Sequence, residues 1–183
     1  MSCHIAFEEA GLKFEPMISK KSEVDRLNPQ GAVPVLLLDD GTVLTQNIAV
    51  LTYAASQSSG AHLLPKLGTT DYFKAYQWLS WVASDLHPSY SPLFDKETPA
   101  AARAESIAEV LELLTEVNSA LEGRQFLVGS ALSIADCYLY AVYNWSRFVK
   151  IDTSNFKNLN AFAARMTERP SVQRVMAREG LKS

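Results

Sequence analysis

NPQGAVPVLLLDDGTVLTQNIAVLTYAASQ, residues 28–57, decides how this chain folds. It reads as loop, strand, tight turn, strand and helix. VPVLLL (33–38) is a continuous apolar run, the pattern of a strand covered on both faces. DDG (39–41) turns the chain into TVLT (42–45), a hairpin signal. QNIAVLTYAASQ (46–57) is helical, with Ile48, Leu51 and Ala55 on one face. Pro34 stands at the mouth of the first strand, an odd place for a residue that cannot donate to a ladder. A cis Val33–Pro34 bond would explain it, since proline alone makes cis cheap, at about 0.5–1 kcal/mol. The bend would turn the N–H and C=O of Val33 away from the ladder, free to pair with an extended peptide. An ordinary trans proline at a strand edge is the alternative. Gln46 and Asn47 open a helix whose first N–H groups have no internal partner, a terminus that attracts a carboxylate. Taken alone, the pair reads more simply as capping residues. Taken with Val33, it suggests a pocket for a peptide-like ligand carrying a free carboxylate.

Working outward, SCHIAFEEAGL (2–12) is a short helix with Ser2 as N-cap and Gly11 as C′ stop. KFEPMI (13–18) reads as a short strand, with Pro16 pushing it toward a sheet edge. KSEVDRLN (21–28) is weakly helical and ends at Asn28–Pro29. Beyond residue 58 the pattern changes: SSGAHLLPKLGTT (58–70) is loop-like, and everything after it is helical. Residues 71–87 carry Trp78, Trp81, Val82 and Asp85 at 3/4 spacing, a core or interface stripe. Residues 101–123 carry Ile107, Val110, Leu111, Leu114, Val117 and Leu121 as a clean stripe closed by Gly123. SIADCYLYAVYNWSRFVK (133–150) is one helix, apolar nearly all round and therefore central. It opens on Ser133-x-x-Asp136, a structural capping box. Two shorter helices follow over 158–169 and from Pro170, a good first-turn residue. The expected organisation is a small α+β unit (1–57), a linker (58–69) and an all-α unit (70–183).

Composition narrows the function. Apolar residues are 48% and charged residues 20% of the 183, enough for a core and ordinary for a globular protein. The formal charge is −3 with basic residues scattered, which argues against nucleic acid. No apolar run is long enough to span a membrane, and Glu8 and Glu9 make a secretory leader unexpected. Cys3 and Cys137 stand far apart and the three histidines show no ligand spacing, so a disulfide scaffold, a dithiol centre and a metal site are not expected. A reduced, cytoplasmic setting fits.

GAVPVL (31–36), DDGTVLTQNIAVLTY (39–53) and an all-helical second half resemble a cytosolic glutathione transferase, nearest to the bacterial beta-type branch. HIAFEEAGLKFE (4–15) is similar to that branch's first helix and WLSWVASDLHPSYSPLF (78–94) to its fourth. FLVGSALSIADCYLY (126–140) is similar to the family's buried capping motif, and RPSVQRVMAREGL (169–181) to its closing helix. The resemblance covers nearly the whole chain. It implies a thioredoxin-like unit holding glutathione, and a helical unit holding a small apolar electrophile. Val33 would pair through its backbone with the cysteinyl part of glutathione, beside cis-Pro34. Gln46 and Asn47 would hold the γ-glutamyl carboxylate and amine. Asn47 stands where relatives have Ser, Gly or Ala. His87 matches a cleft histidine, but Pro88 replaces the lysine usual after it. Tyr90 and Trp145 would complete an electrophile cleft. A two-fold dimer is implied, and glutathione would be a cosubstrate, with no resident cofactor or metal.

Relatives begin with a strand and a loop before the first helix, and that loop carries the residue that activates the thiol. Here the sequence starts at the helix. An incomplete sheet is therefore expected, in which neighbours close up, another segment fills the slot, or the unit is distorted. A thiol with pKa about 8.5 is only a few per cent ionised at neutral pH and needs a donor to favour the thiolate. Ser2 and Cys3 are the remaining candidates, with plain helix-start roles as the simpler reading. A helix N-terminus would lower the pKa of Cys3. The competing functions are a glutathione transferase, a catalytically impaired transferase-like binding or regulatory protein, and a glutathione-dependent disulfide reductase lacking a second nearby cysteine.

Overall fold

The hairpin forms where the apolar run and the DDG turn put it. In the computed structural model, which describes residues 1–17, 20–58 and 62–181, β1 (Val35–Leu37) pairs antiparallel with β2 (Val43–Thr45), Leu36 opposite Leu44. Asp40 closes the turn by accepting from the Thr42 N–H at 2.8 Å. Gly41 takes φ +85°, a region that side chains avoid. β1 is not covered on both faces as the apolar run suggests, since Leu37 is 55% exposed. Such a small hairpin is marginal alone. It stands because Leu36 and Leu44 pack on the buried core shared by α1 (Ser2–Glu9) and α3 (Asn47–Gln57). α3 buries Val50, Leu51 and Ala54 rather than an Ile48–Leu51–Ala55 stripe. The small rotation leaves Ile48 facing a cleft.

KFEPMI is not a strand: 13–17 have no strand geometry, and Ile18 lies outside the described residues. Among the described residues the sheet is β1 and β2 alone, so no strand offers this segment a ladder. Phe14 packs by its side chain instead. Its ring lies 5.3 Å from those of both Phe7 and His4, with the Arg178 guanidinium over it at 5.1 Å. α2 (Lys21–Leu27) then leads into the loop before β1. Ser2 does not cap α1 either. It is already the first helical residue, and its hydroxyl reaches to Asn47. Gly11 stops the helix at φ +69° as expected.

The second half is helical throughout its regular structure. α4 (Thr70–Trp81) runs into a π-helical turn, Val82–Leu86, then α5 (His87–Ser89) and α6 (Ser91–Phe94). The π turn has a local cause. Pro88 has no N–H for the Ser84 carbonyl and its ring crowds that carbonyl, so the ladder widens and the His87 N–H reaches back to Val82. The wider turn shifts the phase, leaving Asp85 exposed although the 3/4 spacing groups it with buried Val82. His87 thereby starts a short helix. α7 (Ala100–Ala120) buries Val110, Leu114 and Val117, as its stripe predicts.

The stretch 133–150 is two helices, not one: α8 (Ile134–Tyr143) and α9 (Trp145–Val149). At the break, the Asn144 amide donates to the Tyr140 carbonyl at 2.7 Å, competing with the backbone for the same acceptor. α8 is central as expected, buried along its whole length. α10 (Lys157–Thr167) and α11 (Pro170–Arg178) close the fold, Pro170 opening the last helix.

α1 is the hinge-pin between the halves, packed against α3, α8 and α11. Arg169 grips Glu9 with two nitrogens at 2.6 and 2.8 Å, and Ser171 donates to the same carboxylate. Arg174 and Arg178 share Glu8, and Glu179 accepts from the first residue's ammonium and meets His4. Desolvation pushes Glu8, Glu9 and Glu179 up, but their hydrogen bonds and facing charges outweigh it and hold all three low.

Candidate active site

The loop before β1 is shaped by Asn28. Buried, it donates through Nδ2 to the Ala32 carbonyl at 2.8 Å and accepts the Gln30 N–H at 3.2 Å. Gly31 is required in this loop: at φ +65°, an added Cβ would stand 2.7 Å from Asp25 Oδ1. The loop delivers Val33 and Pro34 across a cis peptide bond, as the sequence reading expects. Val33 is 75% exposed. Its N–H and C=O take no hydrogen bond among the described residues.

Opposite Val33 stands the N-terminus of α3. Gln46, its N-cap, holds φ 71° and ψ 126°, a strained conformation for a residue with a side chain. Its side chain is exposed and reaches Gln30. Asn47 is held more firmly. Its Oδ1 accepts from Ser2 Oγ at 2.9 Å and from Cys3 Sγ at 3.1 Å. That fixes the amide's orientation and turns Nδ2 the other way, where it is buried with no hydrogen-bond partner.

The third wall comes from the helical half. A cleft of about 320 Å³ lies between Val33, Pro34, Gln46 and Asn47 on one side and Ala83, His87, Pro88, Ser91 and Tyr138 on the other. The π turn aims His87 into it. His87 Nδ1 lies 2.8 Å from the Tyr138 hydroxyl. Burial pulls the His87 pKa down, so the ring is neutral at pH 7. Burial pushes Tyr138 up to about 12, an effect that a neighbouring charge on Cys3 would add to and the Asn47 side chain opposes.

Of the residues expected at an electrophile cleft, only His87 lines this one. Trp145 backs the histidine, ring to ring edge-on at 4.6 Å, and Phe94 meets Trp145 at 5.4 Å. Tyr90 is fully buried behind Trp145, its hydroxyl 2.6 Å from Ser146 Oγ. Ser2 and Cys3 do not line the cleft; they sit one layer behind, bonded to Asn47. The Cys3 pKa is not lowered by the helix terminus. Desolvation pushes it up to about 11, outweighing the nearby ammonium and the Ser2 hydroxyl. Tyr138 was not singled out from the sequence. It is one of three phenols on α8, with Tyr140 and Tyr143, each of which must find a partner when buried, and the sequence does not say which of them faces a cleft. Among the described residues no cluster of His, Cys, Asp and Glu could hold a metal. Cys3 and Cys137 are both free and buried.

A small sheet with a cis-proline at its mouth, joined through its first helix to a helical half, is the architecture of a thioredoxin-like unit carrying an α domain. The sequence matches the family "Glutathione S-transferase, N-terminal domain" over residues 1–57 and "Glutathione S-transferase, C-terminal domain" over 65–170. It is 34% identical to the Escherichia coli protein "Glutathione S-transferase GstA", covering all of this chain and 94% of that one. Among solved structures, the ternary complex of BphK, a bacterial GST, superposes with a TM-score of 0.94 at 37% identity, over 98% of this chain and 94% of that one. The bacterial beta class glutathione S-transferase of Sphingomonas chungbukensis superposes at 0.93 with 33% identity, over 99% and 94% of the two chains. The chain belongs to the glutathione S-transferase family.

Proposed function

We propose that this protein conjugates the thiol of glutathione to small apolar electrophiles, in the cleft between Val33 and His87. The observation that carries the reading is the unpaired, solvent-facing backbone of Val33 beside cis-Pro34, opposite a helix N-terminus with an orphan amide. Val33 offers one N–H and one C=O to the cysteinyl backbone of the tripeptide. The N-terminus of α3 with Gln46 receives the γ-glutamyl carboxylate, and Asn47 supplies a buried donor. A sphingomonad glutathione S-transferase solved in complex with glutathione superposes with a TM-score of 0.93 at 34% identity, over 99% of this chain and 94% of that one, which supports the assignment of the ligand.

The reaction needs a thiolate. The thiol gives its proton to solvent; the sulfur pair forms a bond to the electrophilic carbon; the bond to the leaving group breaks and that pair departs with it. His87, with Trp145 and Phe94 behind it, is the surface for the electrophile. Glutathione is a cosubstrate here, not a resident cofactor. The same reading takes residues 1–57 as the glutathione unit, 58–69 as linker and 70–183 as the electrophile unit. It takes a homodimer in a reduced, cytoplasmic setting as the working form.

One observation favours the alternative, a binding protein with impaired catalysis. Ser2 and Cys3 both donate to Asn47, so neither is free to donate to a thiol. Calorimetric titration with glutathione, followed by a conjugation assay with an activated aryl chloride, decides. Binding with turnover supports the transferase. Binding without turnover selects the alternative, and absence of binding overturns both.

A further inference from the structure

A second cavity, of about 260 Å³, opens where α8 ends and α9 begins, with α10 as its far wall, and it shares no lining residue with the cleft between Val33 and His87. Most of the polar groups that line it are spent on one another. The Tyr143 hydroxyl donates to Asn160 Oδ1 at 2.6 Å, and Asn160 Nδ2 donates to the Thr153 carbonyl at 2.8 Å. The Thr167 hydroxyl donates to the Ala163 carbonyl and so accepts from Tyr140. Ser146 pairs with Tyr90. Two groups are left over. Asn144 Nδ2 donates to the Tyr140 carbonyl, which fixes the amide and leaves Oδ1 accessible with no donor among the described residues. Arg147, the one charged residue lining the cavity, is exposed, and its guanidinium makes no ion pair or hydrogen bond among the described residues. The Arg147 N–H closes a turn on the Asn144 carbonyl at 3.2 Å, and residues three apart on one helical turn share a face.

We propose that this cavity is a binding site for a small neutral α-amino acid, its carboxylate on the Arg147 guanidinium and its ammonium on Asn144 Oδ1. The proposal is independent of the transferase reading. The unspent groups select the ligand. A guanidinium is a donor only, in a planar fork that matches a carboxylate, so Arg147 calls for an anion of that shape. An amide oxygen is an acceptor only, so Asn144 calls for a donor beside that anion. The Tyr143 oxygen gives its proton to Asn160 and keeps a lone pair for the same donor. Burial pushes the Tyr143 pKa up, so the phenol stays neutral. A plain acid would leave the Asn144 acceptor unused, and a plain amine would leave Arg147 unused. With one cation and no carboxylate in the lining, neither an acidic nor a basic side chain finds a partner there. Ala163 and Ala164 on α10 leave room for a short apolar side chain, and the volume falls below the roughly 300–1,000 Å³ of a drug-sized site.

Titration of the nitrogen-labelled chain with L-valine, followed by NMR at the side-chain amides of Asn144 and Asn160, tests this. L-Valine is expected to bind with a Kd of about 1 mM, in proportion to its few heavy atoms. 3-Methylbutanoate, which lacks the ammonium, and 2-methylpropylamine, which lacks the carboxylate, should each bind about tenfold more weakly. Arg147→Gln should weaken L-valine about tenfold or more. Ala164→Leu, at an exposed position of α10, should fill the cavity and abolish binding while the melting temperature holds. Both variants should bind glutathione as the unaltered protein does. On the transferase reading the γ-glutamyl pocket also takes an α-amino carboxylate, so competition is the control: shifts at Asn144 and Asn160 should survive saturating glutathione. No shift at about 20 mM L-valine, shifts erased by glutathione, equal affinity for either isostere, or undiminished binding in Arg147→Gln overturns the proposal and leaves the transferase reading in place. A chain that shows the expected shifts but does not bind glutathione overturns the transferase reading alone.

Discussion

Asp136→Ala separates folding from chemistry in this molecule. Asp136 is 0% exposed, and its carboxylate accepts from the Leu127 N–H, the Ser133 N–H and the Ser133 hydroxyl, each at 2.8 Å. Alanine would orphan three buried donors, at about 1–3 kcal/mol each. One term works the other way. Burial pushes the carboxyl up to about 6, against hydrogen bonds that favour the anion. Ionising it at pH 7 therefore costs the fold about 3 kcal/mol relative to an unfolded aspartate near 3.9, and alanine removes that cost. The balance is a loss of about 3 kcal/mol, or roughly 6–12 °C in melting temperature for a chain of this size. The sign with pH follows. The folded pKa is raised, so the group's stabilising contribution is full below about pH 4 and is lost as pH rises through about 6. The gap between the unaltered protein and the variant should therefore widen from pH 7 to pH 5. Thermal melts at both values, with glutathione titration of the still-folded variant at 15 °C, measure this. A melting temperature within 2 °C of the unaltered protein, or a gap that narrows on acidification, refutes the reasoning.

Gln46→Gly should move stability and binding in opposite directions. Releasing the φ 71° strain should raise stability by about 1 kcal/mol, while losing the side chain at the α3 terminus should weaken glutathione about tenfold by calorimetry. Arg169→Leu should lower stability by about 1–2 kcal/mol in a denaturant melt, because it leaves the largely buried Glu9 carboxylate with only the Ser171 hydroxyl as a donor and the Arg174 charge nearby. The same clamp sets acid sensitivity. Glu8, Glu9 and Glu179 have depressed folded pKa values, so their contribution is present above about pH 4.5 and is lost as pH falls through the folded values. A melt series should show the unaltered protein losing stability below pH 4.5 more steeply than a Glu9→Gln/Arg169→Leu double variant. Asn47→Ala should weaken glutathione binding and also raise the solvent reactivity of Cys3, whose Sγ–H would lose its acceptor; thiol titration with an aromatic disulfide reads the second effect.

What the sequence made legible was whatever depends on neighbours along the chain. The DDG turn, the Gly11 and Gly123 stops and the Ser133–Asp136 box are local, and each stands where its pattern put it; the apolar run gives a strand as read, though one left open on one face. Pro34 was legible because a proline cannot donate to a ladder, so its place at a strand mouth already marks a bend. The failures are non-local, apart from the two helix breaks that Pro88 and Asn144 impose on the turns before them. KFEPMI has the composition of a strand, but a strand needs a ladder partner, and none lies beside it among the described residues. Ser2 has the type of an N-cap but a better acceptor in Asn47, across the fold. Cys3 sits at a helix N-terminus, which lowers a thiol's pKa, yet burial by residues distant in sequence dominates. The π turn was hidden because Pro88 reads as a helix breaker, not as a residue that widens the turn before it. Tyr138 was hidden in an apolar run where its ring looks like core; only folding shows which way its hydroxyl points.

These non-local contacts also account for how a two-strand sheet can hold a precise site. The geometry of the cleft is not set by the sheet. Asn47 is oriented by Ser2 and Cys3 at the start of α1, and α1 is oriented by α11 through Glu8, Glu9 and Glu179 and by its packing on α8, with Ile5 and Ala6 fully buried. His87 is oriented by Tyr138, also on α8. Both walls of the cleft are thus referenced to one buried helix, and that helix is seated by Asp136. A substitution that loosens α11, such as Arg174→Ala combined with Arg178→Ala, touches nothing within the cleft. It should nevertheless free α1, blur the Asn47 amide, and weaken glutathione binding more than it weakens binding of an apolar electrophile analogue on the His87 side. Equal loss at both subsites, or none at either, would mean that α1 is not what holds Asn47 in place.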